Sequence, residues 1–187
     1  MHVVLRRFSL EDVPLKVRWI NDPANNRFLH YQLPLEEQAT LDWYYRIKSN
    51  NARLDLTILC DCVPVGIIGL LNIDAKNENA EMYITVGESE YKGKGIAGIA
   101  IESLLRLAFF ALGLNRVFLL TETENIAAIR AYEKCGFMRE GCLRNELRRS
   151  DGSYVSRYLY AILKDEFEQQ NGATNSAVSN CIFGTEQ

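Results

Sequence analysis

Tyr83-Ile84-Thr85-Val86-Gly87, followed after a short gap by Lys92-Gly93-Lys94-Gly95-Ile96-Ala97, is the stretch that decides the fold. It reads as a strand, a glycine loop with two lysines, and the start of a helix. Glycines remove the Cβ atoms that keep a bulky anion away from the backbone. The N–H groups of a first helical turn lack partners within the helix, and they and the helix dipole attract negative charge. Lys92 and Lys94 add mobile positive charge alongside. These residues describe a pyrophosphate cradle; a flexible turn ahead of a helix is the competing reading. A Walker loop is excluded, because Gly95 is followed by Ile96 and not by Lys-Ser/Thr.

Working outward, hydrophobic periodicity predicts strands over 3–8, 54–60, 63–72, 80–86 and 116–121. Asp61-Cys62 joins two of them in a tight turn, and 137–149 with 154–163 form a long hairpin around Asp151-Gly152. Helices are expected over 10–20, capped by Ser9 with Asp12 three residues on, and from Pro34 to about 48. A long apolar helix runs from 96 to about 112 and closes at Gly113. The order implies one α/β domain with a mixed sheet over 1–167, and a polar, aperiodic and mobile tail over 168–187. In the strand 80–86, alternation puts Glu81, Tyr83 and Thr85 on one face, and Met82, Ile84 and Val86 on the other.

A second segment, Asn125-Ile126-Ala127-Ala128-Ile129-Arg130-Ala131-Tyr132-Glu133-Lys134-Cys135-Gly136-Phe137, is a short helix with Asn at its entry and Gly-Phe at its exit. Asn125 and Tyr132 share a helix face. Taken alone, Asn125 fits an N-cap and Tyr132 fits half-buried packing.

Together the two segments resemble the GNAT superfamily of N-acetyltransferases. The family's phosphate motif, (Gln/Arg)-x-x-Gly-x-(Gly/Ala), is met by Lys92-Gly93-Lys94-Gly95-Ile96-Ala97, with Lys in place of Gln or Arg. Its Asn-x-x-Ala-x-x-x-Tyr-x-x-x-Gly-Phe is met in full. Leu5-Arg6, Arg18-Trp19-Ile20-Asn21-Asp22-Pro23 and the Asp151-Gly152 hairpin resemble the branch that holds ribosomal-protein, spermidine and amino-sugar acetyltransferases.

The resemblance implies a mostly antiparallel, twisted sheet, splayed between strands 80–86 and 116–121. Acetyl-CoA would be the cosubstrate, with its pantetheine arm in the gap paired to backbone near Ile84 and Val86. Lys92, Gly93, Lys94, Gly95, Ile96, Ala97 and Asn125 would hold the rest of it. An N–H near Val86 would polarise the thioester carbonyl. Tyr132 resembles the acid that protonates the departing thiolate. An alkylammonium has a pKa of about 10, so a base is useful. Glu81 is the first candidate, against a solvent-facing strand carboxylate as the alternative, and Glu122 is the reserve. No cysteine is placed as an acyl carrier, so direct transfer is expected.

The acceptor would meet the N-terminal helices and their loops, with Trp19, Asn21, His30 and Tyr83 as contacts. The 18–29 segment is similar to acetyltransferases acting on 4-amino nucleotide-sugars, and Arg139, Arg144, Arg148, Arg149 and Arg157 suit a diphosphate. A capped helix end with an aromatic packing loop accounts for the same residues. A polyamine would instead use carboxylates such as Glu36, Glu37 and Asp42, and a peptide N-terminus is a third acceptor class. A CoA-binding module without turnover is the rival function.

Bulk composition narrows the partners. A net charge of -3 argues against nucleic acid. No apolar run is long enough to span a membrane, and the start does not read as a signal peptide, so the cytoplasm is the expected compartment. The five cysteines are expected reduced. With only His2 and His30 as histidines, Cys60-x-Cys62 gives no metal site. The expected partner is a small-molecule amine; a homodimer is left open.

Overall fold

The computed structural model describes residues 1–149 and 151–171; the expected tail falls mostly outside them. β1 (Val3–Arg7) leads through a 3₁₀ turn into α1 (Val13–Asn21) and the single turn α2 (Pro23–Asn26). α3 (Glu37–Ile47), β2 (Leu54–Cys60), β3 (Val63–Asp74) and β4 (Asn79–Val86) follow. Then come α4 (Ile96–Arg106), β5 (Arg116–Glu122), α5 (Ile126–Lys134), β6 (Met138–Arg148), β7 (Tyr154–Leu163) and α6 (Lys164–Asn171). The strands form one seven-stranded sheet of order β1-β2-β3-β4-β5-β7-β6. Every neighbouring pair is antiparallel except β4 with β5.

β2 and β3 are buried on both faces because both faces are covered, with Asp55 and Thr57 the polar residues of β2. On one face, Leu56, Ile68, Leu70 and Met82 pack with Ile101, Leu104 and Leu105 of α4 and Phe167 of α6. On the other, Ile67 and Tyr83 pack with Phe8, Val13 and Trp19, backed by Leu41 and Trp43 of α3. Period-two alternation along β3 and β4 thus feeds two separate cores. Lys16 of α1 is buried in the second, its Nζ 3.1 Å from the centre of the Trp43 ring.

Local rules account for several joints. Asp61 and Cys62 both have positive φ, 49° and 68°, as a two-residue type I′ hairpin requires. The Ser9 cap is built around Asp12, whose carboxylate accepts from the Ser9 N–H at 2.9 Å, from Thr57 Oγ1 at 2.7 Å and from both Arg6 guanidinium nitrogens. α4 widens over Leu107–Ala111 into a π turn, with Leu112 N–H donating to Leu107 O at 3.0 Å, before Gly113 ends it at φ 69°.

Two expectations are corrected. Pro34 does not open a helix: its peptide bond from Leu33 is cis, and α3 starts only at Glu37. The chain from 168 does not leave the fold at once, because α6 continues to Asn171. Phe167 anchors α6, its ring centre 5.5 Å from that of Phe109.

The consequential feature is a fork in the sheet. β4 and β5 pair only at Asn79↔Arg116, Ala80↔Val117 and Glu81↔Phe118. Beyond Glu81, β4 stays with β3 as far as Val86, while β5 stays with β7 as far as Glu122. The facing edges of Met82–Val86 and Leu119–Glu122 have no ladder between them.

Candidate active site

The fork opens into a cavity of about 860 Å³, bounded by β4, β5, the N-terminus of α4, α5 and the loop after α2. Ile84 and Val86 line it along the open edge of β4. That edge offers main-chain groups that an extended amide chain can pair with, as an added strand would.

At the α4 end, Gly93, Gly95, Ile96 and Ala97 line the cavity. Gly93 and Gly95 sit at φ 73° and 81°, and a Cβ on either would meet nothing within 4 Å. Their glycines are therefore demanded by left-handed backbone, and the space above them is open. Gly95 is the N-cap of α4 and no side chain caps that helix. Unpaired N–H groups and the dipole remain available to an anion.

The lysines behave differently from expectation. Lys92 lines the cavity, but its Nζ donates to Ala24 O at 3.1 Å and to the Asn25 side chain, which fastens the loop to α2. Lys94 is not on the cavity wall; its Nζ lies 5.5 Å from the Tyr91 ring centre. Gly93, Gly95 and Gly98 also have G-x-G-x-x-G spacing. A doubly wound dinucleotide fold is excluded by the sheet, which has one parallel pair.

On the α5 wall, Asn125 accepts from Ala128 N–H at 3.3 Å, so it caps the helix while also lining the cavity. Tyr132 is buried on the same wall, edge-to-face with Phe137. Burial pushes its phenol up to about 12, with a small contribution from Cys135. It stays protonated at neutral pH and is able to donate.

The far wall holds a cluster drawn from distant parts of the chain. Glu122 ends β5 with its side chain 1% exposed. Its Oε2 accepts from Arg149 at 2.5 Å. Its Oε1 is the one buried side-chain polar atom among the described residues without a hydrogen-bond partner. His30 Nε2 lies 3.4 Å from that oxygen, and both residues line the cavity. Burial pushes the His30 imidazole below its ordinary value, and the Glu122 charge opposes this. Tyr83 lines the cavity nearby, its hydroxyl donating to Asp55 Oδ1 at 2.5 Å. Arg53 holds that carboxylate through two further bonds of 2.7 and 2.9 Å.

Glu81 lines the cavity at the closed end of the fork, opposite Phe118, where it accepts from Asn72 at 3.3 Å. Two expected acceptor contacts are corrected. Trp19 is 1% exposed, its Nε1 donating to Glu88 at 2.8 Å, and it packs under Gly87 so closely that a Cβ there would be 2.1 Å from the indole. Asn21 exchanges bonds of 2.8 and 2.7 Å with the Leu35 main chain, pinning the loop after α2. Neither lines the cavity. The meeting of His30 with Glu122 has no local signal in the sequence, since neither residue's neighbours point to the other.

Among the described residues no group of three His, Cys, Asp or Glu could hold a metal, and no helix is long and apolar enough to cross a membrane. Cys60, Cys62, Cys135 and Cys142 are free thiols; Cys181 lies outside the described residues.

A forked sheet with a glycine-capped helix at its mouth and a neutral tyrosine on its wall defines an acyl-CoA-dependent transferase. Comparison with known proteins agrees. Residues 2–138 match the Acetyltransferase (GNAT) domain. The spermidine N(1)-acetyltransferase of Escherichia coli K12 is 30% identical over 169 residues, covering 88% of each chain. The N-acetyltransferase p20 of Bacillus licheniformis is 25% identical over 170 residues, 88% of this chain and 94% of that one. The crystal structure of Vibrio cholerae spermidine N-acetyltransferase with CoA and spermine superposes with a TM-score of 0.82 at 25% identity, over 88% of this chain and 97% of that one. The chain belongs to the GNAT family and is an acetyl-CoA-dependent N-acetyltransferase.

Proposed function

We propose that the enzyme acetylates a small polyamine-type amine by direct transfer within a ternary complex. The observation that carries this reading is Glu122 Oε1, a buried and unpartnered carboxylate oxygen on the cavity wall. Its buried negative charge, facing His30, suits a cationic amine entering along this wall. The spermidine enzymes among the relatives favour the same acceptor class. The amino-sugar reading is the weaker one, because two of the five arginines named for a diphosphate are engaged, Arg149 by Glu122 and Arg157 by Glu146.

Acetyl-CoA supplies the activated acetyl thioester. The chain's own contribution begins with the open β4 edge and the Gly93–Gly95 loop, which orient the cosubstrate. A main-chain N–H near Val86 stabilises the carbonyl oxygen as it gains charge. Tyr132 gives its phenolic proton to the leaving sulfur. Of the two carboxylates that line the cavity, Glu81 at the closed end of the fork accepts from Asn72, whereas Glu122 is buried beside His30, and the base function is assigned to the Glu122 side.

The test is kcat/KM for spermidine and spermine, for amino-sugar nucleotides, and for short peptides with free N-termini. Polyamines should lead by at least ~10-fold, about 1.4 kcal/mol in the transition state. A comparable lead for either other class overturns the acceptor while leaving acetyl transfer in place.

A further inference from the structure

We propose that His30, oriented by Glu122, is the group that takes the proton from the incoming ammonium. The inference rests on the reading that this cavity acetylates an amine, but it does not depend on which amine. His30 Nε2 faces Glu122 Oε1 at 3.4 Å, and that buried oxygen has no hydrogen-bond partner among the described residues. The imidazole side chain is 40% exposed and lines the cavity with Nε2 as the nitrogen nearest the carboxylate, which leaves Nδ1 as the nitrogen to accept a proton. Arg149 holds the other Glu122 oxygen and fixes the carboxylate in place. Such a carboxylate selects the tautomer and stabilises the imidazolium once formed.

Surroundings favour an imidazole that is neutral before the reaction. Facing it are Glu122 from β5, Glu146 from β6, Arg149 from the hairpin and Arg157 from β7. Burial and the two arginines disfavour the charged ring, and the two glutamates favour it. Glu146 is itself held by Arg157 through two bonds of 2.5 Å, which leaves Glu122 as the nearest countercharge.

The proton count closes. The ammonium gives one proton to His30 Nδ1 and its nitrogen forms the C–N bond to the acetyl carbon. The C–S bond breaks, and Tyr132 protonates the sulfur. The nitrogen's second proton restores the Tyr132 phenol through the site. His30 then releases its proton to solvent. The net products are the amide, free CoA thiol and one proton.

His30→Gln is the central variant, compared with wild type and Glu122→Gln on the best amine of the panel. In wild type, kcat/KM should fall toward acid pH along a limb that belongs to His30. His30→Gln should lose that limb and ~100-fold in kcat, with the acetyl-CoA KM little changed. Glu122→Gln removes the charge that raises the imidazole pKa, so the limb should move to lower pH. A second readout needs no turnover: with two histidines in the chain, the His30 ring proton can be followed by NMR titration, using His2→Asn for assignment. Its midpoint should drop in Glu122→Gln. A His30→Gln enzyme with wild-type kcat and an intact acid limb overturns the proposal, as does a His30 midpoint indifferent to Glu122→Gln. Failure of polyamines alone, with another amine turned over and these effects intact, overturns only the acceptor.

Discussion

At the residue scale, the two motif positions that carry most weight differ in why their residues are needed. Tyr132 is needed for a hydroxyl that remains protonated, since burial pushes its phenol up to about 12. Tyr132→Phe deletes that proton and little volume, so kcat should fall while the acetyl-CoA KM stays near wild type, as steady-state kinetics will read. Gly95 is needed for its backbone, at φ 81°. Gly95→Val should cost roughly 1–2 kcal/mol in thermal or urea unfolding, because a branched side chain is forced into left-handed geometry. It should also weaken CoA binding by calorimetry, since the new side chain enters the open space above the loop. Both positions were legible in the sequence because each motif is contiguous and its chemistry is local. Their company was not. Lys92 bonds α2 and Lys94 lies beside Tyr91, and only the folded chain shows which acceptors a long side chain finds. His30 and Glu122 are joined by the packing of a loop against a strand end, and no spacing rule encodes that contact.

At the scale of elements, α6 is the instructive case. Its eight residues, KDEFEQQN, carry one large apolar side chain, so the stretch from 168 onward reads as the start of a tail. That one side chain is decisive. Phe167 is 1% exposed against Phe109 and Phe110, with the Arg106 guanidinium 5.5 Å from its ring centre. Phe167→Ala should lower stability by ~3–5 kcal/mol, measured by urea denaturation. Because Phe167, Gln170 and Asn171 also line the cavity, the same variant should raise the acetyl-CoA KM. The strands were more legible than the helices. Alternating residues between two covered faces leave a strong signal in β2, β3 and β4, whereas Pro34 suits a helix start as well as a turn and so marks α3 three residues ahead of its true start at Glu37.

For the molecule as a whole, the fork in the sheet exchanges main-chain pairing for a binding site, so occupancy should stabilise the fold. Acetyl-CoA at 100 times its Kd should add ~2.7 kcal/mol, visible as a rise in Tm. The rise should be lost in Gly95→Val. A second whole-molecule property comes from Lys16. Burial pushes its amine from 10.5 down to about 7, with Asp55 opposing and Arg53 reinforcing. Between pH 7 and 10 the unfolded chain therefore binds more protons at this site than the folded one. Stability contributed by Lys16 should rise with pH across that window, and Lys16→Met should flatten the rise in denaturation midpoints taken from pH 7 to 9.5.

The stack of Trp19 beneath Gly87 gives the protein an optical reporter. The chain has two tryptophans; Trp43 lies under the Lys16 amine, and Trp19 lies against the main chain just beyond the open edge of β4. In Trp43→Phe the remaining indole, bonded to Glu88, should emit in the blue-shifted range of a dry environment. Its emission should change as acetyl-CoA is added, tracing a binding isotherm without a label.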